Sequence, residues 1–189
     1  MIAPKARGGH VPGQPDMWAF ALFELLLFGS YFAVYFVGRT QDPALYLRSQ
    51  QELDFLPATV NTIVLLTSSW TVARCVQAVA AGEHRVAMKN AWLTVVLGCS
   101  FLVSKVAGWI GLRNAGYGVT ENEFFTHYYF LTGIHVLHLL IGLIALAVLI
   151  YQLGSPARRS REVIETCAVY WHTVDLFWVL IFSVLYVVR

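Results

Sequence analysis

Five long apolar stretches follow one another along the chain, separated by short polar connectors. A helix needs about 20 mostly apolar residues to cross the hydrocarbon core of a bilayer, whereas a strand of a membrane barrel is about half as long. Length therefore predicts helices rather than a barrel. We place the five spans at residues 17–37, 57–80, 88–112, 124–153 and 164–188. The pattern predicts an all-α polytopic membrane protein, a bundle of five transmembrane helices.

The connectors leave little room for anything besides this bundle. The start of the chain is polar and rich in glycine and proline, so residues 1–16 are expected to form a tail and residues 17–189 the transmembrane domain. The connector 38–56 is polar and contains Asp42-Pro43, and residues 154–156 end the fourth span with glycine and proline. No stretch outside the spans is long enough for a separate soluble domain.

Composition excludes a water-soluble domain. The chain is 58% hydrophobic and 13% charged, whereas ordinary soluble domains are roughly 25% charged. The net charge of +2 is small and unclustered, which excludes the basic footprint typical of nucleic-acid binding. Cys75, Cys99 and Cys167 lie far apart in apolar segments, so their spacing indicates neither a disulfide framework nor a thiolate metal site.

Lysine and arginine residues lie mainly on one side of the predicted bundle. The side of the N-terminus has eight of them, Lys5, Arg7, Arg74, Arg85, Lys89, Arg158, Arg159 and Arg161. The other side has four, Arg39, Arg48, Arg113 and Arg189. Because basic residues accumulate on the cytoplasmic side of membrane proteins, we expect a cytoplasmic N-terminus and a C-terminus on the outer face.

Glu24 lies in the first span with apolar residues on both sides of it along the chain. A charged carboxylate is costly inside a bilayer, so such a group is usually functional, or is turned inward and paired. One interpretation makes Glu24 a proton-exchanging carboxyl on a proton path. The other makes it a protonated acid that is hydrogen-bonded to a neighbouring helix. The sequence leaves both interpretations open.

Histidines and acids also recur in the last two spans. His135 and His138 share a helical face in the fourth span, and His172 and Asp175 share one in the fifth span, which also contains Glu165. We predict that these side chains form a buried polar network that fixes the two spans, because imidazoles and acids at similar depth can satisfy each other. This interpretation requires no metal and no cofactor. The alternative is a haem or di-iron site in a membrane metalloenzyme.

Other polar residues in the spans have simpler interpretations. Lys105 lies in the third span and is expected to extend its ammonium group to the membrane interface. Asn61, Thr62 and Ser68 lie in the second span, and their small or hydroxyl-bearing side chains suit close packing of helices.

The polar positions, taken together, resemble those of one known family. The stretch TGIHVLHLLIG at 132–142 resembles a signature in the sixth helix of cytochrome c oxidase subunit III, and YWHTVDLFW at 170–178 resembles that subunit's last helix. The pattern that begins at Pro57 is similar to its fourth helix, and Glu24 matches a carboxyl buried in its third. The resemblance covers nearly all of the chain after residue 16.

This resemblance implies a non-catalytic accessory subunit of a haem-copper respiratory complex. Such a subunit binds neither haem nor copper and packs beside the haem-copper catalytic subunit among membrane phospholipids. It supports proton uptake and the stability of the catalytic subunit during electron transport, and Glu24 is the matched acid for that role. The resemblance also implies a multi-pass protein of the bacterial inner membrane.

The chain departs from the family pattern in two ways, and both indicate to which branch of the family it is most similar. The long form has seven helices, whereas this chain begins at the counterpart of the third. Lys105 stands where oxidase subunits usually have glutamine, which favours the short branch that includes the NorE-type proteins of nitric oxide reductase and denitrification. Whether the partner reduces oxygen or nitric oxide stays open, as does a free-standing assembly factor with the same fold.

Overall fold

The computed structural model describes residues 13–188 of the 189-residue chain, and over these residues it contains helices and no strands. The helices are α1 (Pro15–Gln41), α2 (Pro43–Gln51), α3 (Phe55–Ala80), α4 (His84–Asn114), α5 (Glu123–Leu153) and α6 (Arg161–Phe182), which continues into a π-helical turn at Ser183–Val187. All except α2 are long and apolar enough to cross a membrane, α6 together with its π-helical turn. The predicted all-α bundle of five transmembrane helices is confirmed.

The transmembrane helices begin earlier in the chain than the apolar stretches that predicted them. For example, α4 begins at His84 rather than near residue 88, and α6 begins at Arg161 rather than near residue 164. Polar residues can continue a helix beyond the hydrocarbon because the backbone hydrogen bonds do not depend on side-chain polarity. At α6 the Ser160 hydroxyl caps the helix by accepting a hydrogen bond from the backbone N–H of Val163 at 3.4 Å.

The connectors lie at two ends of the bundle. One end carries α2, the α4–α5 connector at 115–122 and Val188, and we call it the α2 end. The opposite end carries Gly13, the α3–α4 turn at 81–83 and the α5–α6 connector at 154–160. An odd number of spans therefore separates the first and last described residues across the membrane.

Helix α6 forms the centre of the bundle. Helices α1, α3 and α5 all pack against it, and α4 packs against α3 and α5. The ring of Trp171 on α6 is fully buried, and glycines on two neighbouring helices make room for it. A Cβ added at Gly98 on α4 would lie 2.7 Å from Cη2 of Trp171, and one added at Gly142 on α5 would lie 3.0 Å from Cε3. Large and small residues thus interlock at the core.

Helix α2 lies in the connector 38–56, which was described from the sequence only as polar and for which no helix was predicted. The Asp42 carboxylate caps α2 by accepting a hydrogen bond from the backbone N–H of Leu45 at 3.0 Å, and Pro43 is its first residue. Gln50 then donates from Nε2 to the carbonyls of Leu185 and Val188, at 3.0 Å each. The helix is short and half polar, so apolar length could not reveal it.

Candidate functional site

Glu24 on α1 contacts His138 on α5 inside the bundle. The Glu24 Oε2 atom lies 3.2 Å from His138 Nε2, and the two side chains are only 9% and 12% exposed. The contact joins α1 to α5, and therefore lies between the first and fourth spans. The acid that the sequence singled out has an imidazole partner.

Glu24 Oε2 makes no hydrogen bond among the described residues, and a hydrogen bond to His138 Nε2, 3.2 Å away, would require one proton between the two groups. The Nδ1 atom of His138 lies 2.9 Å from the backbone carbonyl of Ile134, and a carbonyl only accepts hydrogen bonds, so Nδ1 carries a hydrogen. In a neutral imidazole Nε2 is then a bare acceptor, which a carboxylate would repel. Either the imidazole is protonated beside a carboxylate, or Glu24 is protonated and donates to Nε2. Both forms contain the same single exchangeable proton.

Aromatic rings enclose the Glu24–His138 pair. The ring of Phe28 meets the His138 ring edge-on at a centroid distance of 5.7 Å and stacks on Phe177 at 4.3 Å. The Tyr170 hydroxyl lies 3.4 Å from the backbone carbonyl of His138, to which it donates. These apolar walls keep water away from the pair, and charges attract each other more strongly where water is excluded.

His135 lies one turn from His138 but in different surroundings. Its side chain is fully buried, and neither ring nitrogen has a hydrogen-bond partner among the described residues. Its ring packs edge-on against Phe101 at 5.7 Å and lies 5.1 Å from the ring of Trp178. The side chain therefore fills apolar space as a neutral ring would.

His172 and Asp175 of α6 make no hydrogen bond to α5. The Nδ1 atom of His172 lies 2.6 Å from the Ser69 hydroxyl on α3. The same hydroxyl approaches the Asp175 carboxyl, but neither Asp175 oxygen has a hydrogen bond among residues 13–188. Asp175 is 3% exposed, so its carboxyl is removed from water as well.

Glu165 lies near the start of α6, at the opposite end from α2. Its Oε1 accepts a hydrogen bond from Nε of Arg161 at 2.6 Å, and its Oε2 accepts one from the backbone N–H of Gly13 at 3.3 Å. The acid thus ties the segment before α1 to the first turns of α6.

The five residues predicted to form one network between the fourth and fifth spans are separated in the structure. His138 contacts α1, and His172 contacts α3. Glu165 contacts Arg161 on its own helix and Gly13. His135 and Asp175 have no hydrogen bonds among the described residues. The reason is geometric, because α6 turns His172 toward α3 and Glu165 toward Arg161 and the N-terminal segment rather than toward the histidines of α5.

Two tryptophans of α6 donate to hydroxyls of α3. The indole N–H of Trp171 donates to Ser68 Oγ, and that of Trp178 donates to Thr62 Oγ1, each at 3.0 Å. Asn61 is buried on the same helix and lines a cavity. The hydroxyls suggested close packing in the sequence, but their indole partners lie more than one hundred residues away along the chain and were not predicted.

Lys105 does not extend to the membrane interface, so that expectation was wrong. Its side chain is 4% exposed and turns into the bundle. Its Nζ donates to the hydroxyls of Tyr128 at 3.0 Å and Tyr186 at 3.4 Å, and lies 5.0 Å from the centroid of the Trp178 ring. Aromatic rings and hydroxyls from α5, α6 and the π-helical turn replace the water that the ammonium group would otherwise seek.

The described histidines and acids do not gather around a common centre. Across residues 13–188, no three His, Cys, Asp or Glu side chains lie close enough together to hold a metal ion.

Comparison with known proteins gives one consistent similarity. Residues 14–188 match the family described as cytochrome c oxidase subunit III. The chain is 28% identical to cytochrome c oxidase subunit 3 of Thermostichus vulcanus, over 94% of this chain and 90% of that protein. It is 30% identical to the protein of the same name from Synechocystis sp., over 96% of this chain and 79% of that protein. It is also 27% identical to a protein of Aeropyrum pernix named heme-copper oxidase subunit I+III, over 91% of this chain and 22% of that protein.

Proposed function

The chain belongs to the cytochrome c oxidase subunit III family, the non-catalytic subunits of haem-copper oxidases, and from that premise we propose that it supports proton uptake and stability of a haem-copper catalytic subunit beside it. The Glu24–His138 contact carries this proposal, because it places a buried carboxyl 3.2 Å from a buried imidazole, two groups that can pass one proton between them. The relative from Aeropyrum pernix, whose name joins subunits I and III, supports a close association between two such subunits.

The chemistry of the pair suits a proton-linked role. A proton can lie on Glu24 or on His138 without breaking the contact, since each form keeps one donor and one acceptor between Oε2 and Nε2. Burial favours the neutral form, whereas the mutual attraction of the charged groups favours the ion pair. Small changes at the surface of a partner subunit would therefore shift the position of the proton.

We place the protein in the bacterial inner membrane, with the N-terminus cytoplasmic and phospholipids around the apolar surface. The described basic residues outside the bundle interior support this orientation, because six lie toward the end opposite α2 and three toward the α2 end: Arg74, Arg85, Lys89, Arg158, Arg159 and Arg161 against Arg39, Arg48 and Arg113. Lys105, the tenth, is buried in the bundle and is not counted. Lys5, Arg7 and Arg189 lie outside the described residues. Glu24 comes nine residues after Pro15, a rise of about 14 Å. In this orientation it lies in the cytoplasmic half of the membrane, the side from which protons would enter.

The electron acceptor of the partner is a further part of the proposal. Lys105, in place of the glutamine usual in oxidase subunits, favours a nitric oxide reductase of the NorE-associated type over a terminal oxidase. Lys105 turns inward and donates to the hydroxyls of Tyr128 and Tyr186, so the residue that differs from the usual glutamine takes part in the packing of the bundle.

Purification of the tagged full chain from native membranes in a mild detergent tests the proposal. We expect a haem-containing catalytic subunit to purify with the chain, and we expect the complex to reduce nitric oxide faster than oxygen. Faster reduction of oxygen would overturn only the assignment to nitric oxide reductase. Purification without a haem protein would instead identify an assembly factor, and a haem or metal spectrum from the chain alone would identify a metalloenzyme.

A further inference from the structure

A cavity of about 270 Å³ lies toward the α2 end of the bundle, away from the Glu24–His138 pair. It is bounded by the beginnings of α3 and α5, the later turns of α4, and the end of α6 with its π-helical turn. Its polar lining comes from Asp54, Asn61, Ser104, Lys105, Tyr128 and Tyr186. The remaining walls are largely apolar.

The Lys105 ammonium group at this cavity has a donor to spare. An ammonium group carries three N–H donors, and those of Lys105 serve two hydroxyls, on Tyr128 and Tyr186. Over the described residues no carboxylate oxygen lies within 4.0 Å of Nζ. The exposed Asp54 carboxylate lines the same cavity but makes no ion pair with Lys105. A cation buried among helices without a carboxylate in contact is costly. An anion in the cavity would remove that cost.

The tyrosines direct a second donor toward the same space. The Tyr128 oxygen accepts from Lys105 at 3.0 Å and from the Tyr186 hydroxyl at 3.4 Å. With both of its lone pairs used in this way, the Tyr128 hydroxyl has its own hydrogen left to donate. Asn61, whose side-chain amide carries two N–H donors, is buried in the cavity wall. An oxygen-rich anion could therefore accept from an ammonium, a phenol and an amide.

The position of α3 adds to the attraction. The first turn of this helix, at Pro57 and Ala58, lines the cavity. The N-terminal end of a helix carries a partial positive charge, so it favours anions. Asp54 lies just before this turn and is exposed at the mouth of the cavity. Its carboxylate opposes the entry of an anion, and its removal should strengthen binding.

We propose that this cavity binds a phosphate group, with the Lys105 ammonium as its counter-charge and the Tyr128 hydroxyl as a second donor. The same chemistry has two sources: the headgroup of a membrane phospholipid and the free phosphate ion. The apolar walls at Ala107, Gly108 and Leu112 would contact the glycerol and upper chain of a lipid. A free ion would need only the polar lining.

Two binding measurements on the full chain in dodecyl maltoside test the proposal and separate the sources. One measures radiolabelled inorganic phosphate by equilibrium dialysis. The other adds phosphatidylglycerol to the micelles and counts the retained lipid by native mass spectrometry, with a monogalactosyl lipid of the same chains but no phosphate as the control. We expect one phosphate group per chain in at least one measurement. Binding of the ion alone would identify the free anion, and binding of the lipid alone would identify the headgroup.

Variants connect the binding to the cavity. Lys105→Gln should weaken binding about tenfold or more, because a hydrogen bond to a charged group is lost, whereas Lys89→Gln, at an exposed position on the same helix, should leave it unchanged. Asp54→Asn should tighten binding severalfold. If Lys105→Gln fails to fold, Tyr128→Phe keeps the ring and should weaken binding severalfold. The proposal is overturned if neither inorganic phosphate nor phosphatidylglycerol binds saturably. It is also overturned if the galactolipid is retained as well as phosphatidylglycerol while inorganic phosphate does not bind. Folded cavity variants that bind like the unaltered chain would overturn it as well.

Discussion

The six-membered ring of Trp171 occupies the space that a side chain at Gly98 would need. An added Cβ would lie 2.7 Å from Cη2 and 3.0 Å from Cζ2 of a ring that is itself fully buried. The ring cannot withdraw easily, because its N–H is bonded to Ser68 and Gly142 lies against its other edge. The contact between α4 and α6 therefore depends on the absence of a side chain at Gly98.

Gly98→Ala should destabilise the bundle by about 1–3 kcal/mol, the usual cost of adding a methyl group to a packed core. Thermal unfolding of the detergent-solubilised chain measures the effect as a lower melting temperature. Gly111→Ala is the matched control, since it lies on the same helix and nothing lies within 4 Å of its added Cβ. Equal melting temperatures for the two variants would show that Trp171 can move aside.

Ser68→Ala should cost about 1 kcal/mol, because it leaves the Trp171 indole N–H buried without an acceptor. Unfolding of the chain in mixed micelles with increasing denaturing detergent measures the change. Ser100→Ala on α4 is the control, since that exposed hydroxyl bonds only to the Leu97 carbonyl of its own helix. A Ser68→Ala chain as stable as the control would mean that the indole finds another partner.

The two histidines of α5 should respond oppositely to the same substitution. His138→Leu should lower stability by about 1–3 kcal/mol, because Glu24 then stays buried without its imidazole. His135→Leu should leave stability unchanged or raise it, since an apolar side chain replaces two unbonded ring nitrogens. The two melting temperatures, measured side by side, give the comparison. A fall of similar size in both would indicate that His135 has a polar partner in the complete complex.

Glu24→Gln should preserve assembly while it shortens the period over which the complex sustains turnover. The glutamine amide can still donate to His138 Nε2, so the α1–α5 contact remains, but the exchangeable proton is lost. Prolonged turnover assays of the purified complex should show a severalfold earlier loss of activity. Glu121→Gln, in the exposed α4–α5 connector, is the control. Full activity of the Glu24 variant throughout the assay would reduce Glu24 to a structural role.

Apolar length was sufficient to predict how many helices span the membrane, but it could not reveal α2. Nine residues, about half of them polar, give no apolar run, and the stability of α2 comes from an Asp42 cap and from bonds to the segment that follows α6. Asp-Pro at the start of that segment was the one local signal, because aspartate caps helices and proline suits their first position.

Single residues of the candidate site could be identified in advance, whereas their partners could not. His135 and His138 are rotated by about 60° from each other around the helix axis, which is enough to place one beside α1 and the other among the rings of α4 and α6. Lys105 depends on phenols from two distant segments, at Tyr128 and Tyr186. Contacts of this kind depend on which helices pack side by side. The spacing of residues along a single helix does not reveal its neighbours.

The carbonyl of Val188 accepts hydrogen bonds from Arg39 at 2.7 Å and from Gln50 at 3.0 Å, so α1 and α2 both hold the end of the chain that follows α6. The last turn of α6 can therefore unwind only when these two side chains release it. Amide hydrogen exchange in the π-helical turn should accelerate when α2 is destabilised, even though the two segments are far apart in sequence. A spectroscopic label on α2 or on the π-helical turn would therefore detect unfolding of either segment.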